Sequence, residues 1–228
     1  MKKVLILLLL LSLKIQAHDL WIEKSENNYI LYYGHKLSSH KGEKIIEYNP
    51  DNIISVQCIN KDGNEIKINL RKEYPLKIKD NCALIYVHIS TGYWTKTPYG
   101  TVNKPKNQVA TPIKSWLSYE SVKRINLWNN NLQKPFSQKL DIIPINNPFN
   151  VKEGDKLRLL ITFKGKPIKN VSVAYDGKFR GLTDKNGRIN IRIKHKGLQL
   201  IEATLKKKTN SEETDEIIYT TTLNFEVK

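Results

Sequence analysis

The chain has 228 residues, with 38 Lys and Arg against 22 Asp and Glu, a formal net charge of +16. So basic a balance raises nucleic acid or an anionic membrane as partners. The lysines, however, are scattered among Ile and Asn, and there is no arginine-rich arm, zinc-finger spacing or nucleic-acid motif. The expectation is therefore a solvated basic surface and no nucleic-acid partner.

Residues 1–17 have the layout of a secretory signal peptide: Lys2 and Lys3, an apolar run over 4–13 interrupted by Ser12, then a short stretch ending at the small residue Ala17. The run falls short of the roughly 20 residues that span a bilayer, so no lasting membrane insertion is expected after cleavage. Cleavage after Ala17 leaves 211 residues (228 − 17) beginning His18-Asp19-Leu20-Trp21. The segment carries three of the 38 basic residues and none of the acids, so the exported chain holds 35 and 22, net +13. An N-terminal histidine offers an α-amino group and an imidazole from one residue, a chelate suited to Cu, Ni or Co. Alternatively, His18 is simply where the peptidase cuts. Two cysteines, Cys58 and Cys82, in an exported chain favour a disulfide. Two free thiols, one serving as a soft metal ligand, are the alternative.

Period-two patterning dominates the chain and predicts an all-β protein. Segments 18–23 and 29–34 read as two strands around the polar turn 25–28, and 53–59 and 65–70 as a second hairpin around 60–64. Residues 83–89 form an apolar strand, 90–112 a Gly/Pro/Thr/Lys-rich excursion, and 115–128 fits either a short helix or a strand. A Pro/Asn-rich stretch at 144–148 follows a joining strand at 140–143. Beyond it, 156–163, 172–175, 187–193, 198–205 and 219–227 alternate regularly between turn signals, the pattern of a small β-sandwich. Two β-sandwich-like domains are expected, 18–138 with a candidate metal site and 139–228 as an Ig- or prealbumin-like sandwich.

Two groups of motifs resemble a known family. One is Ala17-His18-Asp19-Leu20-Trp21-Ile22-Glu23 with Tyr33-Gly34-His35. The other is Asn147-Pro148-Phe149, Glu153-Gly154-Asp155, 163–167, 183–188 and Gly197. Together they resemble the periplasmic family associated with nickel or cobalt uptake (NikM-like, domain of unknown function 4198). The second group alone is common to prealbumin-like modules. The resemblance implies a periplasmic location, nickel or cobalt as cargo, and a membrane transporter or outer-membrane receptor component as partner. This chain departs from it in being rich in Lys and Asn and poor in carboxylates near its histidines in sequence.

The residues themselves give a site. With a four-residue turn at 25–28, facing positions of the first hairpin sum to 53, so Lys24 faces Tyr29, Ile22 faces Leu31, Leu20 faces Tyr33 and His18 faces His35. A two-residue turn slides the pairing by two but keeps the same face, and an odd-length one breaks it. The hairpin would then gather the His18 amine, the His18 ring and the His35 ring, three nitrogens suited to Ni(II) or Cu(II). His88 or His40 is the expected fourth ligand, with His88 equally readable as a core histidine and His40 as an exposed loop residue. His195, in a Lys-rich strand, reads as surface. Asp19 would point away from the pair on a regular strand, leaving it an orienting role. No nucleophile elbow or acidic pair stands out, so no enzyme is expected. A copper-dependent oxygenase using the same histidine, and a metal-free adhesive sandwich binding protein or glycan, are the competing readings.

Overall fold

The computed structural model describes residues 18–36, 44–79 and 81–228. Residues 1–17, expected to act as an export segment, and the expected ligand His40 lie outside the described residues. Among the described residues sixteen strands follow one another: β1 (Asp19–Ser25), β2 (Asn28–Gly34), β3 (Ile53–Ile59), β4 (Glu65–Ile66), β5 (Lys77–Ile78), β6 (Leu84–Thr97), β7 (Gly100–Val102), β8 (Lys114–Ile125), β9 (Asp141–Pro144), β10 (Lys156–Phe163), β11 (Lys166–Pro167), β12 (Ser172–Tyr175), β13 (Lys178–Leu182), β14 (Arg188–Arg192), β15 (Gly197–Lys208) and β16 (Glu216–Val227). The all-β class read from the alternation is the class of the structure.

Three sheets are stacked on two cores. The central one has nine strands, with β13-β12-β15-β16-β8-β6-β3-β4 in order and β7 beside β6. Sheet β1-β2-β5 covers one part of it, and β9, β10, β11 and β14 form the third sheet. Strand β6 shows why both cores exist. Its Leu84 and Tyr86 fill the core shared with Leu157, Leu159, Ile161 and Ile191, while Ile85, Val87 and Ile89 fill the core shared with Leu20, Ile22 and Leu31. A strand buried on both faces reads as a continuous apolar run, which is how 83–89 reads. Strands β8 and β16 pair in parallel from Trp116↔Glu216 to Arg124↔Asn224. The two halves drawn at residue 139 therefore share one sheet.

The structure corrects two segments. Strand β6 continues into the first third of the expected excursion, as far as Thr97, because a register shift between Ser90 and Gly92 lets its pairing with β8 run on to Lys96↔Lys114. Gly92 supplies the positive φ of +79° there. The second hairpin is shorter than expected, since β4 covers only Glu65–Ile66. The segment 115–128, readable either way, is a strand. Cys58 and Cys82 are bonded, with Cα atoms 5.3 Å apart across a separation of 24 residues. On the chain-entropy model a loop of that length contributes roughly 3.5 kcal/mol.

Candidate metal centre

Hairpin β1–β2 has the register read from sequence: Leu20↔Tyr33, Ile22↔Leu31 and Lys24↔Tyr29, ending at Asp19↔Gly34. The turn is Glu26-Asn27 rather than four residues, which leaves the sum at 53. Extending that register by one step sets His18 opposite His35, and their ring centres are 4.7 Å apart. Two imidazoles bound cis on one ion, with metal–nitrogen lengths of about 2.0–2.1 Å, bring their ring centres to roughly 4.5 Å. The pair is thus already spaced as two ligands of one ion would be.

Local structure explains why the hairpin sits where it does. On one side, the backbone of Ile22 is tied to the central sheet. Its N–H donates to Asn224 Oδ1 (3.0 Å), and its carbonyl accepts from Arg124 (2.8 Å). Trp21 is buried, stacks on Tyr32 at 5.5 Å and donates to Glu23 at 2.6 Å. On the other side, His35 N–H donates to Lys44 O (2.8 Å). Segment 44–46 comes so close that a Cβ on Gly34 would lie 2.3 Å from Lys44 O, and Gly34 adopts φ +145°. Only glycine fits that approach, so Gly34 fixes His35 in place.

Beneath the histidines lies a polar cluster that the linear sequence does not bring together. His18 Nδ1 is 2.9 Å from the Tyr33 hydroxyl, and burial followed by the neighbouring Glu120 carboxyl of β8 raises the Tyr33 phenol. Ser118 donates a long bond (3.4 Å) to Glu120 Oε1. Burial, then the negative charge of Glu202 on β15, pushes the Glu120 carboxyl up to about 8. Burial, then Asp19, pushes Glu202 up to about 7. Asp19 is itself raised to about 6 by burial, against a backbone hydrogen bond from Lys36 and with the Asp176 charge adding to the rise. Burial lowers the His18 imidazole, helped by His35, which keeps it neutral and able to offer a lone pair. The site therefore sets two imidazoles over three carboxyls raised by burial and by neighbouring negative charge.

The other expected ligand among the described residues, His88, lies elsewhere. His88 faces the opposite side of the central sheet, since its cross-strand partner is Ser121 whereas Glu120 pairs with Ile89 of the hairpin-side core. It is buried 5.7 Å from the Tyr119 ring, its Nε2 has no hydrogen-bond partner, and burial followed by the Lys139 charge lowers it to about 4. The core-histidine reading describes its position, and it does not join His18 and His35. His195, read as surface, is 40% exposed and bonds Asp176 at 2.9 Å, with its ring stacked over Tyr175. Among the described residues, no three or more His, Cys, Asp or Glu side chains converge in a metal-holding group.

Glu120 and Glu202 are the residues that sequence reading missed. Glu120 was hidden by the uncertain reading of 115–128. Once that stretch is a strand, an acid sharing a face with Val122 is a charge aimed inward.

A family model matches residues 15–207, which span the hairpin, the disulfide and most of both cores. The chain belongs to the family described as a domain of unknown function, DUF4198. No curated protein and no solved structure matches the chain. The DUF4198 match takes in His18, His35 and all the carboxyls beneath them, and ends before β16.

Proposed function

We propose that this chain is a periplasmic accessory protein that captures a transition-metal ion, nickel or cobalt, through the amine and imidazole of a mature N-terminal His18 together with His35. The observation that carries this reading is the pairing of His18 with His35, ring centres 4.7 Å apart, at the first residue after an export-type segment. Export after Ala17 would unmask the third nitrogen beside two imidazoles spaced for one ion. Asp19, raised to about 6, supplies negative potential beneath it at neutral pH, and Glu202 and Glu120 add theirs as pH passes about 7 and 8. The stacked sheets give the hairpin a rigid seat, and the second half of the chain serves as an Ig- or prealbumin-like scaffold presented to a transporter or outer-membrane receptor component. Copper binding at the same nitrogens is the second reading, favoured by the three-nitrogen donor set.

Titrating Ni(II), Co(II) and Cu(II) into protein beginning at His18, beside a form with one added N-terminal residue, tests the proposal. Cu(II) will bind most tightly of the three at any such nitrogen set, so the informative comparison is between the two forms. One-to-one binding that weakens about a hundredfold on extension, and likewise in His35→Ala, is expected for a chelate losing one nitrogen. Binding indifferent to the extension would leave the metal reading without its central donor.

A further inference from the structure

The nitrogen of His18 that a chelate would use is already engaged. A chelate ring that includes the residue-18 amine closes through Nδ1 of the same imidazole, because Nε2 points away from its own backbone. That Nδ1 is the atom 2.9 Å from the Tyr33 hydroxyl. The contact occupies Nδ1 in either tautomer. Nδ1–H donates to the phenol oxygen, or the phenol O–H donates to the Nδ1 lone pair. Tyr33 is also held firmly. It faces Leu20 across the hairpin, packs beside the hairpin-side core, meets the imidazole edge-on with ring centres 4.9 Å apart, and lies close enough to Glu120 of the central sheet to be raised by it. The phenol cannot swing aside without giving up that packing as well.

We infer that Tyr33, held in that packing, competes with the metal ion for Nδ1 of His18 and so sets how readily the site loads and releases. This rests on the reading of His18 as a metal ligand. On loading, an Nδ1–metal bond forms and the Nδ1···Oη hydrogen bond breaks. If Nδ1 carried the proton, it moves to Nε2, and the amine gives up its own proton to solvent. On release, the phenol stands ready to recapture Nδ1. Tyr33 is a positioning residue whose contribution opposes binding, the reverse of a residue that merely supports the fold. A protein that hands its ion onward gains from such a competitor, because a bound ion never faces an unopposed chelate.

The test is titration of Cu(II) and Ni(II) into protein beginning at His18 and into the same protein carrying Tyr33→Phe, which keeps the ring and removes only the hydroxyl. Tyr33→Phe is expected to bind roughly three- to tenfold more tightly, the factor that corresponds to one net hydrogen bond. It should also surrender the ion more slowly to a competing chelator. A second readout needs no metal: the His18 Nδ1 resonance in the 15N spectrum of the metal-free protein should move in Tyr33→Phe. Equal or weaker binding in Tyr33→Phe, or an unmoved Nδ1 resonance, overturns the inference while leaving the metal site standing. Binding seen in Tyr33→Phe alone upholds it in stronger form. Absence of binding in both proteins overturns the metal reading and this inference together.

Discussion

Asp141→Ala is expected to destabilise the protein by about 3–5 kcal/mol, the range for stripping one partner from a buried ion pair. Asp141 and Lys123 form such a pair between β9 and β8, with side chains 0% and 3% exposed. Each is satisfied beyond its partner. Lys123 Nζ donates to Ile142 O at 3.0 Å, and Asp141 Oδ2 accepts from the backbone of Phe136 (2.8 Å) and Ser137 (3.1 Å). Alanine at 141 would strand an ammonium among Tyr86, Phe136 and Leu140 and orphan two amides. Asp141→Asn keeps an acceptor for the amides and should lose less. Asp141→Leu combined with Lys123→Met removes both charges and should recover much of the loss, because the desolvation of the pair disappears with it. Urea unfolding of the three variants at one pH checks this. A loss below about 1 kcal/mol for alanine would mean that the ammonium reaches water and the pair is not structural.

How much of the molecule was legible depended on how local its cause was. Strand positions followed from period-two alternation, and the hairpin register followed from turn length, because a pairing that preserves parity tolerates a two-residue error in the turn. That is how His18 came to face His35 although the turn is Glu26-Asn27. The disulfide favoured by the exported setting is present. Layering was not legible. Nothing in 114–125 or 216–227 announces that β8 and β16 will pair in parallel, since that contact spans about 100 residues and depends on how the halves stack. His88 and Glu120 follow from it. They lie on opposite faces of one sheet, and only the stacking decides which face meets the hairpin. The paucity of carboxylates near the histidines in sequence is likewise undone in space, where β8 and β15 deliver Glu120 and Glu202 beneath the hairpin.

Those two carboxyls make stability fall as pH rises from about 6.5 to 9, by roughly 2–3 kcal/mol. An acid raised to about 8 (Glu120) or about 7 (Glu202), from 4.5 when unfolded, keeps its proton in the folded chain where the unfolded chain has lost it. Its stabilising contribution is whole below pH 4.5 and drains away as pH climbs through the folded value. His195, raised despite some burial by the Lys196 carbonyl and Asp176, acts in the same direction. The lowered histidines His18 and His88 act oppositely, but only below about pH 6.5, where the unfolded chain charges them. The window above 6.5 therefore excludes His18 and His88 and leaves His195 beside the two acids, which Glu120→Gln tells apart. Urea unfolding at pH 6.5 and 9 should show the decline in the wild type and a much flatter response in Glu120→Gln, whose amide keeps the shape of the carboxyl. A wild-type protein equally stable at both pH values would mean that water reaches Glu120 and that the cluster is ordinary surface. The expected decline has a functional corollary. A fold that sets Glu120, Glu202 and Asp19 against one another beneath two imidazoles gives up stability as pH rises, and such concessions concentrate where a site uses the groups concerned. Gln at 120 should therefore raise stability at pH 9 while weakening the pull on a cation at His18 and His35, separating what the fold would prefer from what the site requires.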